Sequence, residues 1–142
     1  LKPEDFGADK PLYLVTGGAG ITPAISMLNS CVASGRKIVF VHAAINGEHH
    51  AFAKHVQALK SKHENLKTFY IYETPLPQDA PDAIGYLKAD MLGALMNGVQ
   101  DVDLYYLGPK PFMACVNRIV QELGIPPQQV RSEWFGPREA LD

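Results

Sequence analysis

The stretch Leu12-Tyr13-Leu14-Val15-Thr16-Gly17-Gly18-Ala19-Gly20-Ile21-Thr22-Pro23 sets an apolar run directly against three glycines and a proline. The run reads as a buried strand, and the segment from Pro23 reads as a helix with Ile25, Leu28 and Val32 on one face, so the glycines mark a strand-to-helix turn. Thr22 is predicted to be the N-cap of that helix and Pro23 its first residue, where a missing N–H leaves no bond unmade. Such a turn has two readings. It is either a plain change of direction or a cradle, in which glycines admit a phosphate to unpaired N–H groups at the positive end of the helix dipole. No Lys closes the motif, which excludes a Walker P-loop, and Pro23 stands where a dinucleotide fingerprint has its last glycine.

Outward from this turn, short runs rich in β-branched and aromatic residues alternate with segments of helical period. The runs are Leu12–Thr16, Lys37–His42, Leu66–Tyr72, Asp103–Leu107 and Val130–Trp134; the helical segments are Pro23–Ala33, Ala51–Lys62, Ala89–Met96 and Phe112–Leu123. Five strands and four helices in alternation predict a three-layer α/β/α, Rossmann-like (flavodoxin-like) domain whose parallel sheet runs in the order 3-2-1-4-5. Ile38-Val39-Phe40-Val41 supplies the continuous hydrophobicity of a strand covered on both faces, and Gly35, Gly98 and Gly124 fall where helices should stop. Thr74–Pro81 is too rich in proline for a helix or a central strand and reads as a surface loop. A second glycine turn, Leu107-Gly108-Pro109-Lys110-Pro111-Phe112-Met113, follows the fourth run. With the fourth strand beside the first, both turns flank the crevice at the topological switch point, where open α/β sheets bind ligands.

Composition bounds the rest. The 142 residues, 46% apolar and 20% charged, fit a single domain, 1–142, and the net charge of −2 leaves no basic footprint for nucleic acid. No apolar run approaches the roughly 20 residues that span a bilayer. Cys31 and Cys115 lie far apart inside helical segments, so neither a disulfide framework nor a cysteine metal site is indicated, and a reducing, cytoplasmic setting is expected. The start at Leu1 shows no signal-peptide pattern, and the chain is expected to be a segment of a longer polypeptide. His49, His50, His55 and His63 cluster in sequence without the spacing of a ligand set, so no metal is expected. His42, ending the second strand, either approaches a ligand or is a satisfied core histidine; Lys110 either meets a phosphate or is surface charge. Tyr70, Tyr72, Tyr105 and Tyr106 read as core residues, and no GxSxG elbow occurs.

Taken together, Gly17–Pro23, the run Val41-His42-Ala43-Ala44-Ile45-Asn46-Gly47 followed by His50-Ala51-Phe52, the segment Tyr106-Leu107-Gly108-Pro109 with Phe112-Met113, and the terminal Glu133-Trp134-Phe135-Gly136-Pro137 carry a resemblance. In this order, over nearly the whole chain, they are similar to the NAD(P)-binding domain of the ferredoxin–NADP reductase family, and most closely to that of the flavohaemoglobins, the nitric oxide dioxygenases. The resemblance implies that Gly17, Gly18, Gly20, Ile21 and Thr22 face the pyrophosphate and nicotinamide of NAD(P)H, with Pro23 starting the helix. It implies that Leu107, Gly108, Pro109, Phe112 and Met113 line the nicotinamide pocket, with Glu133 near the nicotinamide and Phe135 near a flavin. Residues 1–10 would be the linker from a preceding FAD-binding barrel, and a haem-binding globin would lie further upstream. The implied chemistry is hydride transfer from NADH to FAD, with electrons then passing to haem; no residue here serves as acid or base.

Two positions depart from the family pattern. Leu107 stands where relatives carry a cysteine near the reacting carbon, and Trp134 stands where a smaller residue is common; both put the rate and geometry of hydride transfer in question. Beyond the second strand, Ala43–Glu48 contains no Arg or Lys to meet a 2′-phosphate and one acid, Glu48, which favours NADH over NADPH. Two other readings stand beside this one: a reductase domain serving a ferredoxin or oxygenase component, and a catalytically silent nucleotide-binding module.

Overall fold

A computed structural model of the chain describes residues 10–18, 21–98 and 101–134, with the side chains of Glu133 and Trp134 outside the description. The strands are β1 (Leu12–Gly17), β2 (Ile38–Ala44), β3 (Leu66–Tyr72), β4 (Ala83–Ile84), β5 (Asp103–Gly108) and β6 (Val130–Trp134). The helices are α1 (Ile21–Val32), α2 (Ala53–Lys62), α3 (Ala89–Met96) and α4 (Lys110–Glu122). All strand pairs are parallel, in the order β4-β3-β2-β1-β5-β6.

The predicted order 3-2-1-4-5 is present in β3-β2-β1-β5-β6, but the sheet has six strands rather than five. The additional strand is β4, two residues long, which pairs Ala83 and Ile84 with Ile71 and Tyr72 directly after the proline-rich loop. Two residues carry no readable alternation, which is why periodicity misses it.

Alternating side chains sort the interior into two cores. Leu12 and Leu14 of β1, Ile38 and Phe40 of β2, and Tyr105 and Leu107 of β5 pack beneath α1 and α2. Tyr13, Val15, Val39, Val41, Leu104 and Tyr106 point the other way, beneath α3 and α4. A strand buried on both faces has no polar side to present, which accounts for the unbroken apolar runs. From β1 the chain winds outward through β2, β3 and β4, then crosses to β5 and β6 on the other side. The reversal lies between β1 and β5.

The amino edge of the sheet is closed by an ion pair. Arg36, before β2, holds Asp103 at the start of β5 with both side chains buried, and Arg36 also donates to the Lys10 carbonyl. The carboxyl edge is left for the two glycine turns.

Helix starts differ from the sequence expectation. Helix α1 begins at Ile21, so Thr22 and Pro23 are its second and third residues rather than its cap and first position. Proline is tolerated there because none of the first four N–H groups has a partner within the helix. Helix α4 begins at Lys110 with Pro109 as its N-cap, two residues before the predicted Phe112, and α2 begins at Ala53 rather than Ala51.

Candidate functional site

The register of β1 and β5, with Thr16 opposite Leu107, carries both glycine turns to adjacent positions at the carboxyl edge. Gly17 and Gly108 are spaced by one ring. A Cβ on Gly17 would stand 2.6 Å from Cγ of Phe112, and one on Gly108 would stand 2.6 Å from Cδ2 of the same ring and 3.2 Å from the Gly17 carbonyl oxygen. Phe112, from the first turn of α4, thus lies on two glycines because only glycine leaves it space. Gly18 then turns the chain with φ +52°, in the left-handed region where a side chain is disfavoured. A Cβ built on it would reach to 3.9 Å from Pro109, so the two turns face each other.

Between them opens a cleft of about 340 Å³ that runs from β5 across β1 and β2 to β3. Gly17, Gly18, Pro109 and Phe112 form one end, Ala43, Ala44 and Ile45 the floor, and Glu73, Gly85, Tyr86 and Leu87 the far wall, with Pro111 and Cys115 from α4 alongside. Four of the sequence candidates therefore meet in one concavity. Others do not reach it. Ile21 and Leu107 are 2% and 1% exposed and pack into the core beneath α1, because even-numbered β5 neighbours and odd-numbered ones face opposite helices. Gly108 is buried under Phe112, Met113 packs against the α4 core, and Thr22 and Pro23 lie outside the lining. Gly20, Phe135 and the linker residues 1–9 lie outside the described residues, as does the Glu133 side chain, whose backbone pairs with Leu107 in β6.

The far wall was not legible in the sequence. Gly85, Tyr86 and Leu87 follow a strand too short to see, and Glu73 sits after β3 with nothing around it to suggest a ligand. Glu48, the acid singled out from the sequence, lies exposed in a one-turn 3-10 helix, Gly47–His49, capped by Asn46, and does not line the cleft.

Behind the floor, on the α1 side of the sheet, lies a buried polar cluster. His42 is fully buried, with Nδ1 2.6 Å from the Thr16 hydroxyl, which also reaches the Val41 carbonyl at 3.3 Å. The His50 ring lies 4.7 Å away, its Nδ1 2.7 Å from the Tyr72 hydroxyl, and Tyr70 meets it edge-on at 4.4 Å. Nε2 of each histidine is buried without a hydrogen-bond partner. Burial, and then the neighbouring His50, push His42 down to about 3, and burial lowers His50 as well. His42 is thus a core residue opposite Thr16, which immediately precedes the glycine turn, and it ties β1 to β2. Among the described residues no group of three or more His, Cys, Asp or Glu is placed to hold a metal ion. No helix among them is long and apolar enough to cross a membrane.

A cleft with glycines in its lining, uncharged among the described residues at its β1–β5 end and placed at the carboxyl edge of the sheet, suits a dinucleotide: its pyrophosphate meets backbone N–H groups and its rings meet apolar surface. Comparison with known proteins agrees. Residues 14–118 match the oxidoreductase NAD-binding domain family. The chain is 46% identical over 135 residues to a flavohemoprotein of Pseudomonas putida, an alignment covering 95% of this chain and 34% of that protein. A flavohemoprotein of a Burkholderia species is likewise 46% identical over 135 residues, covering 94% and 34%. The chain thus spans about a third of the length of the curated relatives it matches. Among solved structures, the flavohem-like FAD/NAD binding domain of nitric oxide dioxygenase from Vibrio cholerae superposes with a TM-score of 0.78 at 24% identity, covering 90% of this chain and 52% of that one. The CS-b5R domains of human Ncb5or, in their NAD+ form, superpose with a TM-score of 0.81 at 20% identity, covering 93% and 39%.

Proposed function

Because the chain belongs to the oxidoreductase NAD-binding domain family, we propose that it is the nicotinamide-dinucleotide arm of a flavohaemoprotein-like reductase, delivering reducing equivalents to an FAD held by another domain. The observation that carries this reading is the convergence of Gly17-Gly18 and Pro109-Phe112 on one cleft at the switch point of a parallel sheet. In the longer protein, electrons would continue from FAD to a globin haem, as in the nitric oxide dioxygenases. FAD and haem would be carried outside this chain.

The dinucleotide supplies the hydride; the residues of this chain bind and orient it. The Gly18 turn, at the carboxyl end of β1, receives the pyrophosphate with its backbone N–H. Phe112 and Pro109 form an apolar wall against which a nicotinamide ring packs, and they keep water from that end of the cleft. Proximity of two rings is the whole of the catalytic demand, so a rigid edge suffices and no acid or base is required. Leu107, buried in the core, keeps β5 in place and takes no part in ring contact in this arrangement.

A titration of this chain with NADH and ADP-ribose, followed by two-dimensional amide NMR, tests the reading. Shifts centred on Gly18, Ala44 and Phe112 are expected with both ligands. Shifts confined to the amino edge, near Arg36 and Asp103, would contradict it.

A further inference from the structure

Among the described residues that line the cleft, Glu73 alone carries a charge. Its position is fixed by the sheet. Strand β3 outruns its partner, so that the Glu73 N–H donates to the Ala44 carbonyl at 3.0 Å and the Thr74 N–H donates to the Ile45 carbonyl at 2.9 Å. These bonds hold Glu73 alongside the end of β2. That strand end is where dinucleotide folds read the adenosine ribose, with an acid for a free 2′-hydroxyl and a base for a 2′-phosphate. Here the end of β2 is Ala43-Ala44-Ile45-Asn46, which offers neither. The carboxylate arrives from the neighbouring strand instead.

On the same wall Tyr86 stands close enough to the Glu73 carboxylate for it to raise the phenol above its ordinary value. An ionised carboxylate has about four acceptor sites, so even with the Tyr86 phenol beside it there is capacity for two more donors. A vicinal diol presents two donors at that spacing. A 2′-phosphate presents none, and brings about −1.5 to −2 charge toward an anion.

We propose that Glu73 is the specificity-determining residue of the cleft: its carboxylate, beside Tyr86, accepts from the 2′- and 3′-hydroxyls of the adenosine ribose and repels a 2′-phosphate, so that the cleft takes NADH and rejects NADPH. The inference rests on the dinucleotide reading above. Among the described lining residues there is neither Lys nor Arg to offset the repulsion. Tyr86, 66% exposed, stands over the same end and offers a flat apolar face beside the ribose.

The test is calorimetric titration of this chain with ADP-ribose and with its 2′-phosphorylated form, comparing wild type, Glu73→Gln and Glu48→Gln. Wild type is expected to prefer ADP-ribose. Glu73→Gln is expected to narrow that preference by roughly tenfold, since one unit charge near the phosphate is removed, and the wild-type preference is expected to shrink as salt is raised. Glu48→Gln, altering an exposed acid away from the cleft, is expected to leave it unchanged. If wild type binds ADP-ribose and Glu73→Gln keeps the full preference, or if Glu48→Gln is the variant that narrows it, Glu73 is not the selector while the dinucleotide reading stands. If wild type binds neither ligand, both fall together.

Discussion

His42 shows how a single buried side chain can govern behaviour far from its own ring. Its Nδ1 is engaged by Thr16, its Nε2 has no partner, and the His50 ring packs 4.7 Å away. Tyr70 and Tyr72 complete the wall, and Asp79 and Asp82 act on these tyrosines rather than on the histidines. A proton on either ring would find no counter-charge. In the unfolded chain His42 titrates near 6.5, and in the fold it stays neutral down to about 3. The unfolded state therefore takes up the proton first as pH falls, and the stability tied to this residue, complete above pH 6.5, declines from there toward pH 3. Urea unfolding at a series of pH values is expected to show this acid limb, and His42→Gln is expected to flatten it; an unaltered limb would place its source elsewhere. Gly17 makes the same point for packing. Gly17→Ala drives a methyl into Phe112 and is expected to cost about 1–3 kcal/mol. Phe112→Ala in the same chain should return part of that loss, because the clash is then gone. The sequence announces that something approaches these glycines closely. It does not say that the visitor is the chain's own aromatic ring, since the contact spans β1, β5 and α4.

Among the elements, β5 is held at both ends by different means. At its start Asp103 is paired with Arg36 in a buried site, and at its end Gly108 lies beneath Phe112. Removing one partner of a buried ion pair leaves the other charged without compensation, so Asp103→Ala is expected to destabilise the chain by about 3–5 kcal/mol, read as a lowered melting temperature with the cleft unchanged below it. The long parallel strands and amphipathic helices were legible because burial on two faces and on one stripe leave different periods in sequence. Helix ends were legible where glycine stops them: Gly35, Gly98 and Gly124 all take positive φ, at 82°, 81° and 71°. Helix starts were less so. Pro23 and Pro111 each fit several positions of a first turn, and the sequence does not distinguish them. Strand β4 was hidden because two residues have no period, and with it was hidden the Gly85–Leu87 wall of the cleft. Half of the site was therefore readable from glycine turns, while the Glu73–Tyr86 half depends on how far β3 outruns β2.

At the scale of the whole molecule, the cleft is made by the sheet rather than by a mobile lid. Its floor is the end of β2, held in fixed register between β1 and β3, its near wall is Phe112 pressed on two glycines, and its far wall hangs from backbone bonds between β3 and the end of β2. A site assembled from such parts exists before a ligand arrives. Its occupation must then stabilise the fold by mass action, by about 2.7 kcal/mol when ligand stands at a hundred times its dissociation constant. For a domain of this size that amounts to a rise of roughly 5–10 °C in melting temperature. Thermal unfolding of this chain with increasing ADP-ribose is expected to show such a rise, growing with the logarithm of concentration once saturated. A melting temperature that stays flat in this chain yet climbs in a longer chain bearing the flavin domain would mean that the walls close only against that neighbour. The register of β1, β2 and β5 argues against that outcome: each strand end is fixed by partners within these residues.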